Sequence, residues 1–310
     1  MLNYHFCGYD DDIIYSIDNI RLEFDLKYEK NFKLFCMKLD YFNLIEDKDF
    51  EIKNFTNLKT FKYKFMYNFK NKLDDTSFTF GFCFNNGNKT NYKGFVDFNP
   101  NKISKWKYFK MFMEKCRICF KDIDIKRYDL AVDIPVARTF VKLIKDKRSY
   151  HYLQDRSITE YLGKRNNNNF VKVYDKKAES NLDYELTRVE LTIEPKEVMM
   201  FPKIQVRRLQ NELLLIQLNS TDKVIYDLLC AVEEPYHYIQ MFPQRKRAKF
   251  KEIMETMYKP FLFNVQLKEK LYMDIYRVYV IGENENVVLG NINLYDFEDS
   301  LQNSPFEMGE

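Results

Sequence analysis

Three short stretches between Lys126 and Glu194 alternate polar and apolar residues with a strict period of two, which forces each into a β-strand with one wet and one dry face. In the first, Arg127 to Ile134, Leu130, Val132 and Ile134 fall on one side, and Arg127, Asp129, Ala131 and Asp133 on the other. The second, Phe170 to Lys176, turns Val171 and Val173 away from Lys172 and Tyr174. The third, Thr187 to Glu194, separates Val189, Leu191 and Ile193 from Arg188, Glu190, Thr192 and Glu194. If the polar faces share one side of one sheet, carboxylates, a phenol and several cations converge there. A salt-bridged solvated face is the ordinary alternative for such strands. Ala131 argues against it, because so small a side chain between two acids leaves room for a metal or a phosphate.

A chain of 310 residues with 45% hydrophobic content can bury a sizeable core, in one large or two modest domains. The net charge of +3 hides an uneven distribution. Acids gather at Asp10-Asp11-Asp12 and again at Asp296, Glu298, Asp299, Glu307 and Glu310, leaving a basic body with runs at Lys105 to Arg117 and Arg245 to Lys249. Nucleic acid is therefore an expected partner. The 28 Phe and 23 Tyr reflect AT-rich coding at least as well as base stacking. Six cysteines without a disulfide framework suit a reducing cytoplasm, and Cys116-Arg117-Ile118-Cys119 lacks the second ligand pair a zinc site needs. No signal peptide and no long apolar run is present, so the expectation is a cytoplasmic protein without membrane attachment.

The period changes along the chain. Strands are expected for Ser16 to Leu26, Tyr63 to Phe69, Ser77 to Phe84 and Tyr92 to Phe98, the last two joined as a hairpin through Asn85 to Asn88. Helices are expected from Ser104, as N-cap, to Phe120, and from Arg138 to Lys147. Ile158 to Gly163 leads through an Asn-rich turn into the Tyr174 strand. Beyond Pro202 the pattern turns mainly helical, with Val206 to Leu218, Thr221 to Val232 and Arg245 to Tyr258, before a strand at Leu271 to Ile281. The expected division is 1–200 as a catalytic domain, 201–290 as a mainly helical recognition or accessory region, and 291–310 as an acidic tail.

His5, His151 and His237 are far apart in sequence, which disfavours a histidine metal triad or a Ser-His-Asp site. A carboxylate site remains, and oxygen ligands suit Mg²⁺ or Mn²⁺ acting on a phosphodiester. Tyr174 is placed to be a covalent nucleophile, with Lys172 and Lys176 two residues away on the same face to favour the phenolate. A tyrosine packing with its hydroxyl at the sheet rim is the commoner fate of such a residue.

Four ordered blocks, Arg127-Tyr128-Asp129-Leu130-Ala131-Val132-Asp133, Tyr161-Leu162-Gly163-Lys164-Arg165, Val173-Tyr174-Asp175-Lys176-Lys177-Ala178-Glu179 and Arg188-Val189-Glu190-Leu191, resemble those of trans-acting rolling-circle plasmid replication initiators. Relaxases of integrative conjugative elements share them, and Ser16 to Leu22 resembles the family's opening strand. The resemblance spans about residues 16 to 195. It implies an α+β fold: an antiparallel sheet of HUH-endonuclease-like type with flanking helices, followed by the mainly helical C-terminal part. It also implies a metal-dependent enzyme that nicks and rejoins one strand at a plasmid, phage or mobile-element origin through a 5′-phosphotyrosine on Tyr174. Asp129, Asp133 and Glu190 would be the metal or phosphate-positioning acids, Arg188 a phosphate contact and Lys172 a further catalytic group. Lys164, Arg165, Lys176, Arg245, Lys246 and Arg247 are the DNA-binding candidates, and Tyr161 is the second choice of nucleophile. The implied partners are duplex and single-stranded origin DNA, a helicase or relaxosome protein and a second copy of the chain. The short Glu179 to Arg188 linker and the Asn run before Tyr174 depart from the family pattern. A non-cleaving origin-binding protein on the same scaffold is the alternative, and a structural protein with no nucleic-acid role a third.

Overall fold

The computed structural model describes residues 6–26, 50–54, 65–73, 76–84, 92–103, 106–119, 121–155, 157–207, 218–231 and 235–283. It divides into two compact units that interleave in sequence. Unit 1 comprises residues 1–131, 192–199 and 265–310, and unit 2 comprises 132–191 and 200–264. One of the passages between them falls between residues 199 and 200, where the period changes, and the others at 131, 191 and 264. Both are built on antiparallel strands with helices attached, the α+β class that the strand and helix patterns imply.

In unit 1 the strands are β1 (Cys7–Asp10), β2 (Ile13–Leu26), β3 (Phe50–Asn54), β4 (Phe65–Asn71), β5 (Ser77–Phe84), β6 (Tyr92–Phe98) and the first part of β7 (Lys121–Ile134). They pair in the order β3-β4-β5-β6-β2-β7, with β1 on β2. Among the described residues two helices precede β7, α1 (Pro100–Ile103) and α2 (Lys107–Cys119). Alternation along β5 and β6 buries Phe78, Phe80, Val96 and Phe98, while α2 buries Phe109, Phe112 and Met113 at helical spacing. Aromatic rings fill the space between these elements: Phe69 stacks on Phe78 at 4.5 Å, and Phe78 meets Phe112 at 4.8 Å. Several of the phenylalanines are thus core residues. The hairpin turn expected at Asn85 to Asn88, and the Ser104 N-cap, lie outside the described residues.

The segment Leu271 to Ile281 is helical, not the strand its Tyr, Val and Ile content suggests. It forms the end of α7 (Val265–Ile275) and a widened π turn (Tyr276–Ile281) closed by Gly282 at φ 91°. Leu271, Ile275, Val278 and Tyr279 are buried, a spacing of four and three that one helical face provides and a strand does not. Gly8 on β1 admits this helix. A Cβ on Gly8 would stand 2.4 Å from Leu267 Cδ1, too close for any other residue without displacement.

In unit 2 the strands β9 (Tyr150–Gln154), β10 (Ile158–Leu162), β11 (Val171–Asp175) and β12 (Thr187–Ile193) pair antiparallel in the order β12-β11-β10-β9. Leu162, Val171, Val173, Val189 and Leu191 form their dry side, as the alternation requires. The turn from β10 to β11 takes left-handed backbone at Gly163 (φ 89°), Asn166 (φ 67°) and Asn169 (φ 64°), conformations for which Gly and Asn are suited. The expected helix from Arg138 to Lys147 is instead a single 3₁₀ turn (Arg138–Phe140) followed by β8 (Val141–Ile144). Val141 and Leu143 are buried while their neighbours are not, so a period of two wins over the helical reading. β8 pairs with β13 (Lys203–Arg207), which pairs with β14 (Tyr258–Pro260). The helix expected from Val206 begins as the end of β13, and its remainder up to residue 217 lies outside the described residues. Helices α4 (Ser220–Ala231), α5 (Pro235–Gln240) and α6 (Gln244–Met257) pack around Tyr226, Leu229, Ile239, Phe250 and Met254. Of the described helices, none is long and apolar enough to cross a membrane.

Candidate functional site

Register sets the site. In β11, Tyr174 stands directly opposite Arg188 of β12, and Lys172 opposite Glu190. Across its other edge β11 places Tyr174 opposite Thr159 and Lys172 opposite Tyr161 of β10. Directly opposed residues share a face, so two polar rows run side by side: Thr159, Tyr174 and Arg188, then Tyr161, Lys172 and Glu190. The strand ends at Asp175, one residue after Tyr174. Asp175 caps the short helix α3 (Lys176–Ser180), its carboxylate accepting from the Ala178 amide at 2.9 Å. That cap, with the Lys176 amide bonded to the Leu186 carbonyl, fixes the end of the strand that carries the phenol.

The phenol is engaged. Tyr174 Oη donates to Glu190 Oε1 at 2.6 Å, and Lys172 Nζ lies 3.6 Å from the centre of the Tyr174 ring and 3.8 Å from Glu190 Oε2. Lys176 Nζ is farther, 5.9 Å from the ring centre, and pairs with Glu179. Tyr174 is only 4% exposed. The lysines do not make it the acidic phenol that their spacing suggests. Burial, then the negative charge and hydrogen bond of Glu190, raise its pKa far above the ordinary phenol value, and Arg188 opposes this only in part.

Arg188 is gripped from the other side. Its Nε donates to Asp133 Oδ1 at 2.6 Å and its Nη2 to Asp133 Oδ2 at 2.7 Å, with both side chains buried. Unit 2 therefore brings together Tyr174, Lys172, Glu190, Arg188 and Asp133. Asp129 belongs to unit 1, where its Oδ1 accepts from Thr192 Oγ1 at 2.7 Å. Tyr161 shares the face, half-buried opposite Lys172, and packs against Phe170 with ring centres 6.0 Å apart.

These placements bear on the divalent ion that Asp129, Asp133 and Glu190 were expected to hold. Among the described residues no three His, Cys, Asp or Glu side chains cluster to hold a metal. Both oxygens of Asp133 face the Arg188 fork, and those of Glu190 face Tyr174 and Lys172. Asp133 and Glu190 are engaged by side chains of unit 2, and Asp129 by Thr192 in unit 1. They are partners of neighbouring side chains.

The remaining candidates are spread out. Lys164 and Arg165 are exposed on the turn between β10 and β11. Arg245, Lys246 and Arg247 are exposed in the first turn of α6, but Lys246 lies 3.8 Å from Asp222 on α4, beside the shorter Lys249 to Asp222 bond of 2.7 Å. The hydrogen bond from Lys249, then the charges of Lys249 and Lys246, hold the Asp222 carboxyl below its ordinary range. Arg247 Nη2 donates to the Phe242 carbonyl at 3.2 Å. A cluster that sequence reading passed over is Arg138, paired with Glu160, which also accepts from Tyr150 Oη at 2.7 Å. Its signal was the odd-numbered offset: Glu160 alternates with Thr159 and Tyr161 and so faces away from the Tyr174 side. A cleft of about 410 Å³ lies in unit 1, lined by Glu23, Asp25, Asp122, Asp124, Lys126 and Glu194 among others, and does not include the Tyr174 group.

No protein-family model matches the chain, and no curated protein matches it. Among solved structures it is similar to a rolling circle replication initiator protein from Geobacillus stearothermophilus. The similarity has a TM-score of 0.33 and 13% identity over 59% of this chain and 74% of that one.

Proposed function

We propose that the chain is a replication initiator that nicks and rejoins one strand at a plasmid, phage or mobile-element origin, with Tyr174 as the nucleophile. Two lines support the reading. The four ordered sequence blocks resemble those of rolling-circle initiators, and the single observation that carries the chemistry is the 2.6 Å bond from Tyr174 Oη to Glu190 on a face shared with Lys172 and Arg188. A hydroxyl nucleophile paired with a carboxylate, beside cations suited to a phosphate, is the arrangement covalent phosphoryl transfer uses. Attack by the phenol on the scissile phosphorus leaves a 5′-phosphotyrosine and a free 3′ hydroxyl that primes synthesis. Lys172 covers the Tyr174 ring, so the phosphate enters by drawing its ammonium aside. Mg²⁺ or Mn²⁺, origin DNA in duplex and single-stranded form, a helicase or relaxosome protein and a second copy of the chain belong to this proposal as partners.

The second reading is an origin-binding protein that does not cut. Its specific support is the 4% exposure of Tyr174 and a phenol pKa held far above the ordinary value.

One experiment separates the two. The protein is incubated with a randomised single-stranded oligonucleotide library and Mg²⁺ or Mn²⁺, denatured, and the protein-linked DNA is sequenced and its attachment residue found by mass spectrometry. Recovery of one preferred sequence on Tyr174 is the expected result. Specific binding with no covalent product would establish the non-cleaving reading, and attachment at Tyr161 would move the nucleophile.

A further inference from the structure

The two oxygens of Glu190 face two proton-bearing groups, the Tyr174 hydroxyl and the Lys172 ammonium. Oε1 accepts the Tyr174 hydroxyl at 2.6 Å, and Oε2 lies 3.8 Å from Lys172 Nζ. The register brings the three together, because Lys172 and Glu190 are cross-strand partners and Tyr174 is two residues along the same face. Resting on the nicking reading, we propose that Glu190 is the proton acceptor for Tyr174 and Lys172 the proton donor to the leaving 3′ oxygen, so that one carboxylate serves both ends of the reaction.

The step balances within the chain. As Tyr174 Oη bonds phosphorus, its proton passes to Glu190 Oε1. The bond from phosphorus to the 3′ oxygen breaks, and that oxygen takes a proton from Lys172 Nζ. Glu190 then returns its proton to the neutral Lys172 amine when that flexible side chain swings into hydrogen-bond reach of the carboxyl, which restores the starting ion pair. No oxidant, reductant or further reactant enters. Rejoining runs the same transfers backwards, as a nicking-joining enzyme requires. Arg188, fixed by Asp133, keeps its positive charge throughout and stands beside Tyr174 in the opposing strand.

The proposal departs from a role for Glu190 as a metal ligand, and the two make different predictions. A general acid is dispensable when the leaving atom is sulfur, because a thiolate departs without a proton. The substrate is therefore an oligonucleotide spanning the nick recovered above, made with either oxygen or sulfur bridging the 3′ carbon and the scissile phosphorus. Lys172→Met is expected to slow adduct formation about a hundredfold or more with the oxygen substrate, and to come within about threefold of wild type with the sulfur substrate. Glu190→Gln is expected to be slow with both, since it acts on the nucleophile. Mn²⁺ binding by the protein without DNA, followed by electron paramagnetic resonance, is expected to be the same within about twofold in wild type and Glu190→Gln. A Lys172→Met defect that persists undiminished with the sulfur substrate overturns the donor role. A tenfold loss of Mn²⁺ binding in Glu190→Gln makes Glu190 a metal ligand and overturns the acceptor role. Circular dichroism and thermal melting identify any variant that fails to fold, in which case Lys172→Gln and Glu190→Asp replace them. Wild type that forms no adduct with any strand removes the nicking function itself and this assignment with it, whereas an active wild type with unimpaired variants removes only the assignment.

Discussion

Arg188 and Asp133 meet through two parallel hydrogen bonds, Nε to Oδ1 and Nη2 to Oδ2, at 2.6 and 2.7 Å, although 55 residues separate them in sequence. Removing one member of such a buried pair strands the other charge in a dry interior. Asp133→Asn and Arg188→Gln are each expected to destabilise the protein by about 3–5 kcal/mol. The double substitution Asp133→Leu with Arg188→Met is expected to cost less than the sum of the two, because it leaves no buried charge unpaired. Urea unfolding of the three variants measures both effects, and additive losses would contradict the pairing.

Tyr174→Phe removes one hydroxyl and its bond to Glu190 while leaving the ring under Lys172. Adduct formation is expected to vanish, with single-strand binding within about threefold of wild type. Stability is expected to fall by about 1.5–3 kcal/mol, the worth of a hydrogen bond to a charged group. A filter-binding titration and a denaturation curve on the same preparation test the two claims together.

The raised pKa of Tyr174 has a defined consequence for alkaline stability. Because the folded state holds the phenol above its unfolded value, its contribution is complete below the ordinary tyrosine range and is lost as pH rises beyond it. Absorbance at 295 nm, recorded on wild type and Tyr174→Phe, is expected to show no difference attributable to this residue until the protein unfolds. One tyrosine fewer in the reversible titration of Tyr174→Phe than in that of wild type would show that the phenol ionises in the native state.

Neutralising Arg245, Lys246 and Arg247 is expected to weaken binding to duplex DNA and to flatten its salt dependence by about one unit for each lost phosphate contact. The structure adds a second expectation. Asp222 is held by Lys249 at 2.7 Å and by Lys246 at 3.8 Å, so Asp222→Asn is expected to loosen the packing of α4 on α6 without altering the salt slope. The Asp222 carboxyl lies below its ordinary range, so its stabilising effect is present above the unfolded value and fades as pH falls through the lower, folded one. Melting curves across the acid range, set beside salt titrations of DNA binding, separate the recognition role from the structural one.

The faces of β7, β11 and β12 were legible in the sequence because a period of two leaves no freedom once the dry side is known. Gly163 and the Asn run likewise marked the turn that delivers Tyr174. What could not be read was which polar groups touch. Alternation puts Asp133 and Arg188 on wet faces, yet only strand order and register, absent from a local pattern, bring them together and bury them. The same limit holds for Asp129 and Asp133, which look equivalent in sequence and meet different partners, Thr192 and Arg188. Tyr276 to Ile281 was misread because β-branched and aromatic residues dominate it, although Leu271, Ile275 and Val278 carried a helical spacing. Val141 to Ile144 was misread in the reverse sense, as a stretch too short for its alternation to outweigh the helical fit of its surroundings.

The chain passes between the two units four times, after residues 131, 191, 199 and 264. Two of those passages occur inside strands, within β7 and near the end of β12. Unit 2 is therefore written into the gene as an interruption of unit 1, and its second half must be synthesised after the short return of residues 192–199 has already been made. A single proteolytic cut can release neither unit as a complete fragment. A truncation that keeps one unit whole must also carry part of the other, so point substitutions of the kind set out above are the direct means of separating recognition from chemistry.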